Sequence, residues 1–300
     1  MACLVCSSPN EIIFVEKPKD REYFETLEKE SVLYRCVDCE SIYQYPQPNK
    51  SDLAKCYGND YQNYVKTSVP LLSEINQVVQ KIMAKRFAKK FPKDLRILDY
   101  GCGQGAFLRA LSDERFLDLW GYDPVRYEET CNRKNINFIY DLDELKRLFS
   151  SFDVIRLHHV IEHATKGEEL IKTVGSLLRP GGIIIGQTPN ASHYTSYLMQ
   201  SYWGPLHYPY HTIIFSASGF TGAVKKYGLQ PNATSGTLIP TAWALTLENF
   251  IKENLYIRSR GRTFFYSFLM IALLPLALFD WIVAPHATAN FNFEIHKPKD

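Results

Sequence analysis

Apolar residues recur at helical intervals from Leu71 to Phe91, with basic residues between them and Pro92 as a stop. The spacing predicts one long helix. Downstream, short apolar runs alternate with amphipathic stretches. The runs predict strands at Arg96 to Tyr100, Leu117 to Tyr122, Asn137 to Tyr140, Phe152 to Leu157 and Gly182 to Gln187, with helices filling the intervals. Strands separated by helices build a parallel sheet with right-handed crossovers, so the expected fold class is α/β and doubly wound.

The C-terminal pattern departs from this alternation. FFYSFLMIALLPLALFDWIVAP, residues 264–285, is nearly continuous in apolar residues. It is long enough for a membrane crossing at about 20 residues, but Pro275 and Asp280 interrupt it. TANFNFEIH, which follows, alternates like a strand that must return to the same sheet, and a single crossing would prevent that. The expectation is an apolar helical hairpin, either packed on the core or lying in a membrane interface. Arg258, Arg260 and Arg262 before it and Trp281 within it favour peripheral contact with an anionic surface.

At 300 residues, 46% hydrophobic and 22% charged, the chain has the composition of a globular protein with a sizeable core. A net charge of +2 gives no case for nucleic acid as the main partner. MACLVCSSPNE lacks the cationic start and apolar run of a signal peptide, so the expected compartment is cytoplasmic, with reduced thiols. That compartment bears on the cysteines. Cys3 and Cys6 form one CxxC pair and Cys36 and Cys39 another. Two such pairs in a reducing compartment suggest a four-thiolate structural zinc site, with an unmetallated or redox pair as the alternative. The polar insert KPKDREYFETLEKE between them is expected to loop out. Cys56, Cys102 and Cys131 are expected to be small core residues.

The most informative chemistry lies in ILDYGCGQGAF, Ile97 to Phe107, where a strand runs into Gly101, Gly103 and Gly105 and then into a helix. Such a turn brings a ligand to a helix N-terminus, and Asp123, at the end of the next strand, can accept both hydroxyls of a ribose. A NAD-type dinucleotide domain and a bare tight turn are the alternatives. The glycine pattern, followed by SFDVIRLHHVIEH, LLRPGG, IIIGQTPN and HTIIFSASGF, resembles the ordered motifs of class I S-adenosylmethionine (SAM) dependent methyltransferases from about Leu95 to Leu229. The resemblance implies a Rossmann-like sheet with SAM over its C-terminal edge. Gly101, Gly103 and Gly105 would line the cofactor, Asp99 would hold the turn or a bound water, and Asp123 would take the ribose. Asp141 would contact the adenine amino group or merely cap a helix, and His158 would stand beside the cofactor. The stretch from Tyr34 to Tyr64, with Tyr45, Pro46, Pro48, Tyr57 and Tyr61, resembles the link between zinc ribbon and catalytic domain in a bacterial group associated with surface-polysaccharide and small-molecule tailoring.

LHHVIEH, Leu157 to His163, offers the proton-transfer chemistry. His159, Glu162 and His163 fall at helical spacing, and the motif resembles the ExxEH metal site of ubiquinone-pathway and small-RNA O-methyltransferases with His159 in place of the first glutamate. Exchanging carboxylate for imidazole disfavours magnesium and shifts any metal preference toward zinc or another transition metal; the preferred role is pocket shaping by hydrogen bonds and base catalysis, with a metal site as the alternative. His163, His159 and His158 are candidate proton acceptors, as are His207 and His211 in SYWGPLHYPYHTIIFS. Tyr194, Tyr197, Tyr202, Trp203, Tyr208 and Tyr210 could form a surface for a sugar ring or simply pack a lid.

The sequence thus divides into a zinc ribbon (1–50), a helical linker and cofactor cover (51–92), a SAM-binding core (93–230) and C-terminal strands with the apolar hairpin (231–300). The expected activity is O-methylation of a sugar or other small acceptor, free or carried on a nucleotide or polyprenyl lipid. A noncatalytic zinc-ribbon and SAM-binding scaffold is the alternative.

Overall fold

The computed structural model describes residues 2–25, 27–56, 70–127, 133–263, 265–285 and 288–299. Tyr57, Tyr61 and Cys131, singled out above, lie outside them. The central sheet contains β4 (Arg96–Tyr100), β5 (Asp118–Tyr122), β6 (Ile136–Ile139), β7 (Phe152–His158), β8 (Leu178–Pro189), β10 (Gln230–Gly236) and β11 (Asn290–His296), in the order β10-β11-β8-β7-β4-β5-β6. Strands β4 to β8 pair in parallel, whereas β11 runs antiparallel between β8 and β10. The five predicted strands of the core are all present, β8 being extended at both ends. The alternating C-terminal segment does return to the sheet.

Strand alternation explains the two cores. Leu98 and Ile155 face one side with helices α4 (Leu142–Lys146), α5 (Gly167–Leu177) and α7 (Ala217–Lys225). Their neighbours Ile97 and Val154 face the other with α2 (Pro70–Lys90) and α3 (Ala106–Asp113). All four are fully buried, each contributing about 1.5–3 kcal/mol of apolar burial.

A second sheet was not legible in the sequence. β1 (Glu11–Val15), β2 (Val32–Cys36) and β3 (Ile42–Tyr45) pair antiparallel, and β3 also takes β9 (Ile213–Ile214), with Ile42 opposite Ile214 and Tyr43 opposite Ile213. β9 belongs to the segment after β8, so the N-terminal sheet is stitched to the segment that follows the central strands. α1 (Lys50–Cys56) follows. The insert between the cysteine pairs does not simply loop out. Tyr23 is buried against Tyr210 at 5.5 Å, and Arg21 donates to Ser201 O at 2.6 Å.

The aromatic-rich segment divides: Trp203, Tyr208 and Tyr210 are buried and Tyr202 half-buried, whereas Tyr194 and Tyr197 are exposed. Trp203 and Tyr210 are fully buried, and α6 (Tyr194–Met199) ties Tyr197 Oη to Glu40 at 2.7 Å. Next come α8 (Thr241–Asn254), α9 (Phe265–Ala272) and α10 (Leu274–Val283). The last two meet at a 41° bend, a broken helix rather than the expected hairpin. Among the described residues no single helix is long and apolar enough to cross a membrane, although this bent pair passes that test together.

Candidate active site

β4 ends in a turn whose three glycines adopt φ of +76°, +52° and +75°. A side chain at Gly101 or Gly105 would also collide, since a Cβ there lies 2.5 Å from Val160 Cγ2 and 2.8 Å from Phe138 Cζ. At Gly103 the corresponding space is open, as a ligand cradle requires. Asp123 reaches the same turn from β5, with Oδ2 accepting Gly103 N–H and Oδ1 accepting Val125 N–H, each at 2.9 Å. Burial raises its pKa and these two amides oppose the rise. Each oxygen keeps a lone pair for a further donor.

Asp99 does something other than hold the turn. It is 1% exposed and accepts from Arg156 Nη1 at 2.8 Å across the β4–β7 ladder, where the two residues are register partners. A carboxylate in a strand buried on both faces requires a charge partner, and β7 supplies it. Arg156 also lies 4.1 Å over the Phe107 ring. Asp141 takes the helix-cap alternative, with Oδ1 accepting Glu144 N–H at 2.8 Å at the start of α4.

At the end of β7 the chain turns through His159, at φ +54°, into the short helical turn Ile161–His163. Val160 in this turn is the residue that packs on Gly101, so the histidine segment and the glycine turn are in contact. Glu162 is fully buried. Its Oε1 accepts from His159 Nδ1 at 2.9 Å and its Oε2 from Thr188 Oγ1 at 3.0 Å. Burial disfavours its charge, but the hydrogen bond and charge of His159 outweigh this and lower its pKa. His159 shows the converse. Burial opposes its imidazolium, yet Glu162, together with Gln187 Oε1 at 3.0 Å from Nε2, raises its pKa. With both ring nitrogens donating to oxygens, His159 is suited to a cation and not to the proton-accepting role considered for it.

His163 and His211 have the opposite character. His163 donates Nδ1–H to Tyr210 O at 3.2 Å, and His211 donates Nδ1–H to Pro205 O at 2.7 Å. Burial pulls His163 down to about 4 against the opposing charge of Glu162, and it pulls His211 well below its usual value. Both are therefore neutral, with Nε2 as the basic atom. Ligand atoms of Glu162, His163 and His211 lie within 4.8 Å of one another. This set can hold a cation, and it replaces the expected His159 with His211. His207 instead pairs with Glu22 at 2.9 Å and stacks on Tyr210, so it fastens the loop.

The four N-terminal cysteines converge, with Sγ atoms within 4.8 Å of one another. Cys3–Cys39 and Cys6–Cys36 are separated by 3.8 and 3.6 Å, close to the edge of about 3.8 Å for a ZnS₄ tetrahedron built on 2.3 Å bonds. Ser7 and Glu40 stand where knuckles usually carry glycine, and they adopt left-handed φ of +63° and +58°. Their N–H groups bond back to Cys3 O and Cys36 O at 2.9 and 3.0 Å, closing both knuckles. The Glu40 carboxylate accepts from Ser192 Oγ and Tyr197 Oη. Cys56 is buried, and Cys102 is half-buried at the glycine turn.

Residues 72–233, more than half of the chain, match the family model described as a methyltransferase domain. The chain belongs to that family. Over 144 residues, 40% of the chain, it is 26% identical to the mRNA cap guanine-N(7) methyltransferase of Cryptococcus neoformans, of which the match covers 23%. Over 120 residues, 37% of the chain, it is 28% identical to the ubiquinone biosynthesis O-methyltransferase of Methylocella silvestris, of which 46% is covered. The chain thus spans less than half the length of these curated relatives. Among solved structures, a SAM-dependent methyltransferase from Archaeoglobus fulgidus is similar at 18% identity, over 74% of this chain and 94% of that one, with a TM-score of 0.47.

Beside the histidine segment of this methyltransferase domain opens a cleft of about 1090 Å³. Arg156, His158, His159 and Gln187 line it, as do Phe87 of α2 and Trp281 of α10. Burial, with the charges of Arg156 and His159, holds His158 well below its usual pKa. Sequence reasoning missed Arg156, Gln187 and Thr188. Polar residues inside otherwise apolar strands were the signal that could have found them.

Proposed function

We propose that the protein is a SAM-dependent methyltransferase that methylates a hydroxyl of a sugar or other small acceptor. The observation that carries this reading is the glycine turn with Asp123 anchored in it, packed through Val160 onto a strand end that presents neutral histidines. Bound there, SAM supplies a methyl group on a sulfonium leaving group. Gly101, Gly103 and Gly105 let the backbone approach the cofactor, Asp123 receives the ribose hydroxyls, and α2 covers the cleft. The attacking hydroxyl must lose its proton, and Nε2 of His163 or His211 accepts it. Glu162 sits beside His163 and stabilises the imidazolium that forms, while the cationic His159 keeps Glu162 ionised. Zinc on Cys3, Cys6, Cys36 and Cys39 has a structural role, bracing β3 and through it β9 beside His211.

The test is methyl transfer from labelled SAM to a panel of sugar hydroxyls by the full chain, with His163→Ala, His211→Ala and the double variant. Turnover lost in the double variant with SAM binding intact supports the reading. Full turnover in the double variant refutes the histidine base. The convergence of Glu162, His163 and His211 favours a second reading, metal-assisted deprotonation. Loss of activity on EDTA treatment, with zinc still bound at the cysteines, would select it.

A further inference from the structure

α9 and α10 expose an apolar face of unusual extent. Phe268, Ile271, Ile282 and Val283 are 63–76% exposed, and Phe265, Phe279 and Trp281 join them. The single acidic or basic residue between Phe265 and Val283 is Asp280, and it is turned inward. Its carboxylate accepts from Tyr194 Oη and Trp243 Nε1, each at 2.7 Å, and lies 3.4 Å from His193 Nε2. The outward face therefore carries no charge. Immediately before it, Arg258, Arg260 and Arg262 are exposed. Glu25 and Glu22 stand 3.5 and 3.8 Å from Arg260 and Arg262, Arg262 also lies 4.4 Å over the Tyr266 ring, and the two arginine side chains are 52% and 34% exposed. An uncharged apolar face with an interfacial tryptophan, bordered by arginines, is complementary to an anionic bilayer. The pair cannot span that bilayer, because α9 packs on α8 through Tyr266, Leu269 and Ala244 while the chain after α10 re-enters the sheet as β11.

We infer that the exposed face of α9 and α10 docks on an anionic lipid surface. Trp281 lies on this face and also lines the 1090 Å³ cleft, so docking sets the mouth of the cleft against the lipid.

The experiment is flotation of the full chain with vesicles of phosphatidylcholine containing about one-third phosphatidylglycerol, the anionic fraction to which basic segments respond. The protein should float with these vesicles and much less with phosphatidylcholine alone. Ile271→Glu/Ile282→Glu, at two exposed positions, should lower the bound fraction by about ten-fold. Arg258→Gln/Arg260→Gln/Arg262→Gln should lower it too and flatten its salt dependence. Absence of flotation overturns the inference, as does flotation undiminished by the isoleucine variant. A lipid-free dimer that the isoleucine variant splits overturns it as well, and assigns the face to a second copy. SAM binding measured on the same samples separates the two claims. Vesicle binding lost with SAM binding kept removes only the docking, whereas failure of the wild-type chain to bind SAM removes the proposed function.

Discussion

His163 and His211 stand edge to face, with ring centroids 4.7 Å apart at 78°, although the two residues lie 48 positions apart in the chain. Each ring gives its Nδ1 proton to a main-chain carbonyl, which fixes the tautomer and makes Nε2 the basic atom in both.

This pairing predicts the pH profile. A base with the ordinary histidine pKa would lose activity below about 6.5. Burial holds His163 at about 4, so if it is the base, the acid limb of kcat should lie nearer that value. Alanine at the responsible position should reduce turnover by about 10²–10⁴-fold with SAM affinity nearly unchanged. An acid limb at about 6.5 that His163→Ala abolishes would contradict the depressed value.

The same depression has a stability consequence. Unfolded His163 takes up a proton near its ordinary pKa of about 6.5, whereas the folded residue resists until about 4. Its contribution is therefore present above about 6.5 and is lost as pH falls through the interval toward 4. His211 and His158 act in the same direction, while the raised His159 acts in the opposite one. His163→Gln should flatten the decline of Tm across that interval, as calorimetry at several pH values would show.

Gly101→Ala combines a left-handed φ with a contact at 2.5 Å to Val160. We expect a loss of about 1–3 kcal/mol of stability together with weaker SAM binding. Adding Val160→Ala should recover only part of the loss, since it relieves the collision but not the backbone. Recovery to wild-type Tm in the double variant would mean that φ carries no cost here.

Much of this was legible in the sequence because local chemistry imposes it. The glycine turn needs residues tolerant of positive φ, and the core strands need continuous apolar runs. The CxxC pairs need only their spacing to suggest a metal. Pairings over long sequence separations were not legible. Nothing local in IYQY says that β3 will pair with Ile213 and Ile214, and nothing in LDY says that Asp99 will meet Arg156. The bend between α9 and α10 was likewise hidden, because composition gives the apolar length and Pro275 the interruption, but neither gives the angle.

The β3–β9 pairing links the cysteine cluster to the strand beside His211, so the proposed zinc site makes a prediction about turnover. Elemental analysis should find about one zinc per chain, and Cys36→Ser should release it. On the proposed reading, loss of the metal would loosen β3, and β9 begins two residues after His211. Turnover should therefore fall along with zinc content, though no cysteine touches the acceptor. Stoichiometric zinc that survives loss of both CxxC pairs would move the metal to Glu162, His163 and His211.

The central claim is that the turn at Gly101, Gly103 and Gly105, with Asp123, holds SAM. Titration calorimetry of the full chain with SAM and with its demethylated product tests it most directly. Binding of order micromolar is expected for both, about −8 kcal/mol, and Asp123→Ala should weaken both through loss of the ribose contacts. Tight binding of NADH with no heat from SAM would contradict the account.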